Sequence, residues 1–307
     1  MTTTPSFPEA NLTAKADLKN AITIDVTNTF KENLNKLIEM LGITRKISLT
    51  SGSTIKTYKG YKATLATGNG NVAEGDVIPL SKVTQEEATT KTVNLKKYRK
   101  ATSGEAIALY GTDNAIANTD EALIRQIQKG IRTSLVTSIK TGTGTQTALG
   151  HGFQGALASA WGKLQTLFED YGVENAIVFA NPLDIAKYVA NAQVTTQTAF
   201  GLTYLVDFTG TVIISTTDIT QGEIWATVPE NIVFAYINPS QSDVAKAFGL
   251  ASDETGYIGM THFTDEQTLT YQTLVLSGIE IYAERLDGIV KVQLTEPTAK
   301  GASVPTA

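Results

Sequence analysis

NTDEALIRQIQKGIRTSLVTSIKTGTGT, residues 118–145, is the stretch around which the chain is organised. Leu123, Ile124, Ile127, Ile131, Leu135 and Ile139 recur at three- and four-residue steps and share one helical face. Asn118 is placed as N-cap with Glu121 three residues on, as in a capping box. Asp120 and Glu121 put negative charge in the first turn, where the helix dipole favours it. Arg125, Lys129 and Arg132 run beside the apolar stripe at the same spacing. Lys140 closes the helix with a cation, and Gly142 and Gly144 stop it. At ~1.5 Å per residue the rod is roughly 30 Å long. A single apolar stripe of that length needs a sheet or another helix laid along it.

Upstream, residues 1–20 are polar, carry Pro5 and Pro8, and read as an extended arm with a helical turn around Ala14–Asn20. Val26, Phe30, Leu34, Leu37, Ile38 and Leu41 then follow helical spacing up to Gly42. Ile43 to Lys100 is rich in Thr, Lys, Tyr and Val. Ile55-Lys56-Thr57-Tyr58 and Thr90-Lys91-Thr92-Val93-Asn94-Leu95 alternate as half-exposed strands do. Gly60, Gly68, Gly70 and Gly75 lie between them. The apolar content is too low for a separate core, so the segment reads as a long projecting β-hairpin. A lone hairpin is marginal in water, so it needs a surface to lie on. Ser103–Tyr110 is a short helix leading into the long one.

Downstream, Gly155–Tyr171 is a helix with Leu157, Trp161, Leu164, Leu167, Phe168 and Tyr171 on its buried side. Asn175–Ala180 is a buried strand. Asn181 caps a helix that Pro182 opens and Ala190 ends. Gln193–Gly201 is a Thr/Gln loop. Strands follow at Leu202–Val206, Thr211–Ser215, Glu223–Val228 and Asn231–Ile237, then a short helix at Ser240–Phe248. The alternation makes residues 151–257 one α/β domain. Thr268–Leu294 reads as two long antiparallel strands, with Leu286-Asp287-Gly288 as a hairpin turn, and these partner the long helix.

The chain has 307 residues, 42% hydrophobic and 18% charged, enough for a substantial core and, by length, two domains. There is no cysteine and only two histidines, which excludes a disulfide framework, a thiol nucleophile and cysteine-ligated zinc and disfavours a histidine-rich metal site. No signal-peptide run or membrane-spanning stretch is present, so a cytoplasmic, soluble chain is expected. Charge is uneven. Residues 46–100 hold ten Lys/Arg against four Asp/Glu, a balance of +6, and with −5 overall the remainder carries −11. Residues 151–257 hold three Lys against eleven Asp/Glu. Such asymmetry suggests docking between oppositely charged surfaces, although two separately solvated segments would give it too.

The chemistry of catalysis finds no foothold. Thr141-Gly142-Thr143-Gly144-Thr145 follows a helix where a phosphate loop would precede one, and lacks the Lys-Ser/Thr ending. His151 and His262 lie in no metal-binding or catalytic spacing and read as surface or strand residues. No nucleophile elbow and no singled-out carboxylate pair occur. No catalytic, cofactor-binding or metal residue is assigned. The arm, hairpin and tail, which cannot fold alone, mark a subunit built for assembly.

The order of these parts resembles the major capsid proteins of tailed bacteriophages, with the fold known from phage HK97. The likeness spans about residues 20–295. It rests on Ala73-Glu74-Gly75-Asp76-Val77-Ile78-Pro79, on the basic run Leu95-Lys96-Lys97-Tyr98-Arg99-Lys100, on the helix ending in Thr141–Thr145, and on the closing strands Leu269–Ala283 and Gly288–Leu294. The resemblance implies an α+β, HK97-like capsid fold. Its parts are an N-terminal arm (1–23), an amphipathic helix (24–45), an extended β-hairpin or E-loop (46–100), a P-domain with a long spine helix (101–150), an inserted α/β A-domain (151–257), P-domain return strands (258–295) and a tail (296–307). Thr141–Thr145 becomes the hinge into the A-domain.

It further implies a non-enzymatic major capsid protein that forms pentamers and hexamers of an icosahedral shell around double-stranded DNA, assembled in the bacterial host cytoplasm. Expected partners are further copies, a separate scaffolding protein, a portal protein, a decoration protein and packaged DNA held non-specifically, with no membrane. The best-known member carries a long N-terminal scaffolding segment, and an arm this short implies a separate scaffold or a form already trimmed. Its Lys–Asn crosslink transfers to no residue here. Lys59, Lys62, Glu74, Asp76, Lys96, Lys97 and Arg99 are candidates for contacts between subunits, with the basic hairpin lying on acidic patches of a neighbour. Arg125, Lys129 and Arg132 are candidates for lumen or arm contact. The alternatives are an encapsulin-like compartment shell, another phage structural protein such as a tail tube, and an enzyme built on residues 151–257.

Overall fold

Phe30, Leu34, Leu37 and Leu41 are fully buried along one face of α1 (Lys15–Met40), the helix expected from Val26 onward. It starts earlier, so the helical turn expected around Ala14–Asn20 is its first part and residues 21–23, assigned to the arm, are helical too. Gly42, with φ +59°, ends it, and Ile43 N–H closes back onto the Ile38 carbonyl at 3.0 Å. The computed structural model describes residues 15–58, 61–66, 71–85, 87–149, 152–169, 175–190, 196–206, 210–239, 243–252 and 255–295. The expected histidine at 151 and aromatic at 171 lie outside them.

Past α1, the chain runs through β1 (Arg45–Leu49), β2 (Thr54–Tyr58), β3 (Lys62–Thr64), β4 (Lys82–Thr84), β5 (Glu87–Thr92) and β6 (Lys96–Ser103). Then come α2 (Gly104–Tyr110), a π-helical turn (Asp113–Ala117), α3 (Asn118–Ile139), β7 (Gly144–Gln146), α4 (Gly152–Leu167), β8 (Ile177–Ala180) and α5 (Pro182–Val189). The remainder holds β9 (Gln197–Ala199), β10 (Leu202–Val206), β11 (Val212–Ser215), β12 (Glu223–Thr227), β13 (Ile232–Ile237), α6 (Asp243–Phe248), β14 (Ile258–Asp265), β15 (Thr270–Ser277), β16 (Ile279–Ala283) and β17 (Val290–Gln293).

The stripe of α3 is buried as expected, with Ile124, Ile127, Ile131, Leu135 and Ile139 in the main core beside α1 and Ile279 and Ile281 of β16. Asn118 is not its N-cap. The π turn runs straight into α3, and Thr119 spends its hydroxyl on the carbonyls of Ala115 and Ile116. With the helix already under way upstream, no cap is needed at 118.

The seven-stranded sheet has the order β7-β17-β12-β8-β11-β10-β9. Period-two alternation divides it between two cores. Ile177 and Phe179 of β8 face the α1–α3 core, while Val178 and Ala180 face α4 and α5. That two-sided burial is why residues 175–180 read as a continuous apolar run. On α4 the buried face is Phe153, Ala156, Leu157, Ala160 and Leu164, and Trp161, expected there, is 37% exposed. Asn181 caps α5 as expected, accepting the Leu183 N–H at 3.0 Å. Part of the expected Thr/Gln loop is the edge strand β9.

The closing segment departs most from expectation. It is three strands in three sheets. β15 pairs with β14 and β6, β16 with β13, and β17 with β12 and β7. Leu286-Asp287-Gly288 therefore carries the chain between sheets and closes no hairpin. β13 likewise leaves the α/β sheet and sits between β1, parallel to it, and β16. The end of the Thr-Gly run is strand. Gly144–Gln146 forms β7 on β17, and a Cβ at Gly142 would fall 2.5 Å from that of Ile289, so glycine is needed for the approach.

Candidate assembly interface

Thr54–Tyr58 alternates β-branched and long side chains and pairs antiparallel with residues 87–92, as its strand signal predicts. The β3–β4 ladder continues outward, tied by the Ala66 N–H to the Ser81 hydroxyl at 3.1 Å. Only the root of this hairpin is held, where Ile55 packs beside Val233, Ala235 and Tyr282. Further out, Tyr61, Leu65, Ile78 and Val83 are exposed, Val77 is 92% exposed and Leu80 97%. At the tip, Asp76 N–H closes a turn on the Ala73 carbonyl at 3.1 Å, with Gly75 at φ +91°. Glu74 and Asp76 flank that glycine, both exposed.

Both ends of the 46–100 segment belong to the body. β1 lies on β13, and β6 is the edge strand of β14-β15-β6. Five of the segment's ten basic residues, Lys46, Lys96, Lys97, Arg99 and Lys100, lie at these anchored ends. Lys96 reaches Glu280 at 3.6 Å, and Lys91 shares that carboxylate at 3.8 Å. Lys97 and Arg99 point away on the opposite face of β6, exposed and without an ionic partner among the described residues. Lys62 opens β3, and Lys59 falls outside the described residues. The outermost stretch, residues 71–80, carries Glu74 and Asp76 among exposed apolar residues and no Lys or Arg, while Lys62 and Lys82 lie in β3 and β4.

The three cations of α3 also separate. Arg125 is exposed and 3.5 Å from Glu121, one turn back, and Lys129 is exposed. Arg132 is half-buried and donates to the Phe200 carbonyl at 2.6 Å, where the β9–β10 turn folds over it. Burial lowers its pKa from the ordinary arginine value, opposed by nearby Asp218. Arg132 is therefore engaged inside its own subunit, unlike the exposed Arg125 and Lys129.

One arrangement had no signal in the sequence. Asp120, in the first turn of α3, is wholly buried and accepts from Lys100 at 2.5 Å, His262 Nε2 at 2.7 Å and the Thr273 hydroxyl at 2.8 Å. Lys100 also donates to Thr119 and, at 3.2 Å, to the Ile116 carbonyl. Burial alone would raise the Asp120 pKa. The donors His262, Lys100 and Thr273, with the Lys100 charge, outweigh it and hold the carboxyl below the usual range. An ionised carboxylate only accepts, so His262 carries its proton on Nε2. Tyr271 stacks near His262 at 5.4 Å, and burial, with Asp120 beside it, pushes its hydroxyl up to about 12. Asp120, His262 and Thr273 are buried, and Lys100, with 18% of its side chain exposed, is the member that reaches solvent. Its members come from β6, α3, β14 and β15, so no spacing along the chain announces it. The exposed tip did carry a signal, in the apolar residues Val72, Val77, Ile78 and Leu80 of a segment without a core.

Among the described residues no cluster of three or more His, Cys, Asp or Glu side chains could hold a metal ion, and no helix is long and apolar enough to cross a membrane. No family model matches the sequence, and no curated protein matches it. Solved structures do. The holo-SrpI encapsulin complex from Synechococcus elongatus PCC 7942 aligns over 86% of this chain and 90% of its own, at TM-score 0.51 and 10% identity. The capsid of an empty GTA particle aligns over 83% and 88%, also at TM-score 0.51 and 10% identity.

The chain has the HK97-type fold.

Within the HK97-type fold of this chain, the apolar tip, Lys97 and Arg99, and Arg125 and Lys129 are exposed among the described residues, Arg125 beside the local Glu121.

Proposed function

We propose that the chain is the structural subunit of a closed icosahedral shell, a major capsid protein that assembles through pentamers and hexamers around double-stranded DNA and catalyses nothing. The proposed division has the β2–β5 and β3–β4 hairpin as E-loop, α3 as spine, the α4–α5 region as A-domain, and β14–β16 within the P-domain. A separate scaffolding protein, a portal protein and a decoration protein are its proposed partners in a virion capsid assembled in the host cytoplasm.

The observation that carries this reading is the hairpin tip. On an HK97-type body, Val77, Ile78 and Leu80 stand in solvent, at a place where nothing among the described residues covers them. Contiguous exposed apolar residues mark an interaction site. Burying three such side chains contributes roughly 5–8 kcal/mol before ordering and association costs. Repeated over every subunit of a shell, that is ample to decide between dispersed and assembled chains.

Electron microscopy of the purified chain tests it, with closed shells expected. Replacing residues 61–84 by a short Gly-Ser turn leaves the β2–β5 ladder intact and should yield a folded chain that makes none. Normal shells from that deletion would remove the hairpin from assembly.

The encapsulin-like reading has one observation in its favour, the equal TM-scores of the encapsulin and the GTA capsid. The contents of shells purified from the native host separate the two. Nuclease-protected DNA supports the capsid, and a protein cargo in its place supports the compartment.

A further inference from the structure

Both strands of the hairpin enter the body through short irregular connections, residues 50–53 between β1 and β2 and residues 93–95 between β5 and β6. The two connections are tied to each other by their backbones. Val93 N–H donates to the Ser53 carbonyl at 2.9 Å, and Gly52 N–H to the Val93 carbonyl at 3.0 Å. Gly52, at φ +88° with open space where a Cβ would stand, lets the first connection turn. Two such connections side by side make a hinge unless something crosses it. Ile55 and Lys91 are directly opposed on β2 and β5 and so share a face. That face is turned to the body, where Ile55 packs beside Val233, Ala235 and Tyr282. Glu280 is in register with Ala235, and Tyr282 with Val233, so Glu280 belongs to this same face of β13 and β16. Its carboxylate lies 3.8 Å from Lys91 on the hairpin side and 3.6 Å from Lys96 on the body side. β16 is an edge strand, and Glu280 also accepts from the Ser134 hydroxyl of α3 at 2.9 Å.

We propose that Glu280 is the latch of this hinge: it holds Lys91 across the connections while bound to Ser134 and Lys96 on the body, and so sets the angle at which the hairpin leaves its own subunit. The Ile55 contact alone cannot do this, because apolar burial is non-directional and resists lifting more than twisting or sliding. A carboxylate facing partners from α3, β5 and β6 at once fixes a position. The body side of the latch is itself held. Arg132 and Thr133, next to Ser134 on α3, donate to the Phe200 carbonyl at 2.6 Å and to the Asp218 carboxylate at 3.2 Å. The side chains of Glu280 and Lys91 are 17% and 27% exposed, shielded enough to hold and open enough for salt to weaken the pair. The latch acts within one chain and does not depend on the shell reading. Within a shell, a hairpin already set at its angle lowers the ordering cost of any contact it makes.

Amide hydrogen exchange of the full chain tests this, because the Gly52 and Val93 N–H groups bridge the two connections and exchange when the hinge opens. Lys91→Gln and Glu280→Gln should each speed exchange at these two amides about two- to fivefold, the effect of a partly exposed ion pair on a local equilibrium. Lys96→Gln leaves the Lys91 pair across the hinge in place and should change them less. The amides of β8, inside the seven-stranded sheet, should keep their rates in all three variants, which separates hinge opening from loss of overall stability. In the unaltered chain, exchange at Gly52 and Val93 should also quicken between about 0.05 and about 0.5 M NaCl, and Lys91→Gln should lose that response. Equal hinge rates in the unaltered chain and in Lys91→Gln overturn the latch. So does an effect of Lys96→Gln as large as that of Lys91→Gln, an acceleration no greater at the hinge than at β8, or a salt response that persists in Lys91→Gln.

Discussion

Asp120 and His262, 142 positions apart in the chain, meet at 2.7 Å with both side chains wholly shielded from solvent. Lys100 and Thr273 complete the arrangement, so one carboxylate joins the start of α3 to all three strands of β14-β15-β6. Removing one partner of a buried ion pair leaves a charge unpaired and costs about 3–5 kcal/mol. Asp120→Asn should destabilise the chain by about that amount in urea titration, while Glu121→Gln, one residue along on the exposed side, should stay within about 0.5 kcal/mol.

The same carboxylate sets an acid limit. In the fold Asp120 is held below the usual carboxylate range, and unfolding returns it to about 3.9. Glu223 behaves alike: burial would raise its pKa, but hydrogen bonds from Lys291 and Trp225 and the Lys291 charge lower it. A depressed folded pKa adds stability that is present above the unfolded value and lost as pH falls through the folded one. Urea midpoints should therefore be level between about pH 7 and 5 and fall below about pH 4. Asp120→Asn should flatten part of that fall, and an unchanged slope would count against the role of this pair.

Two glycines should respond to alanine with opposite sign. Gly130 sits inside α3 with nothing within 4 Å of a Cβ, so Gly130→Ala should stabilise by up to about 1 kcal/mol. A Cβ at Gly144 would fall 2.5 Å from the Ile289 carbonyl oxygen, a backbone atom with little room to yield. Gly144→Ala should cost about 1–3 kcal/mol and loosen β7 from β17. Thermal unfolding of the two variants checks both.

Serine at Val77, Ile78 and Leu80 together should leave the stability of the isolated chain within about 0.5 kcal/mol, since these side chains touch so little of it. Shell formation should be lost. A marked fall in stability would mean that the tip packs on its own subunit.

Arg132→Gln removes the donor that holds the β9–β10 turn on α3 and should cost about 1–2 kcal/mol in the same titration. Arg125→Gln with Lys129→Gln should leave stability unchanged while lowering the DNA content of purified shells. Unchanged DNA would count against a lumen contact at those two residues.

Much of the fold was legible because burial writes its own period. Ile124 to Ile139 on α3 and Leu34 to Leu41 on α1 are fixed by which face must leave water. Alternation at Tyr271, Ile279, Ile281 and Val292 likewise announced strands. It could not say which strand lies beside which, so three strands bound for three sheets looked like one hairpin. The candidate interface was only half legible. Summing charge from residue 46 to 100 hid the fact that Lys96, Lys97, Arg99 and Lys100 are anchored in the body while Glu74 and Asp76 travel outward. Asp120 looked like an ordinary first-turn carboxylate because its partners are distant in the chain.

The division of β15, β16 and β17 among three sheets has a consequence for synthesis. The parallel pair β1–β13 is completed on its other side only by β16, and the β7 edge only by β17. Pairings this distant in sequence form late and slowly. No sheet except the small hairpin ladders can close until the ribosome has passed residue 277, and the largest waits for residue 293. A truncated nascent chain thus lacks the finished body that a neighbouring copy would have to recognise. Order of synthesis itself keeps incomplete subunits out of the assembly.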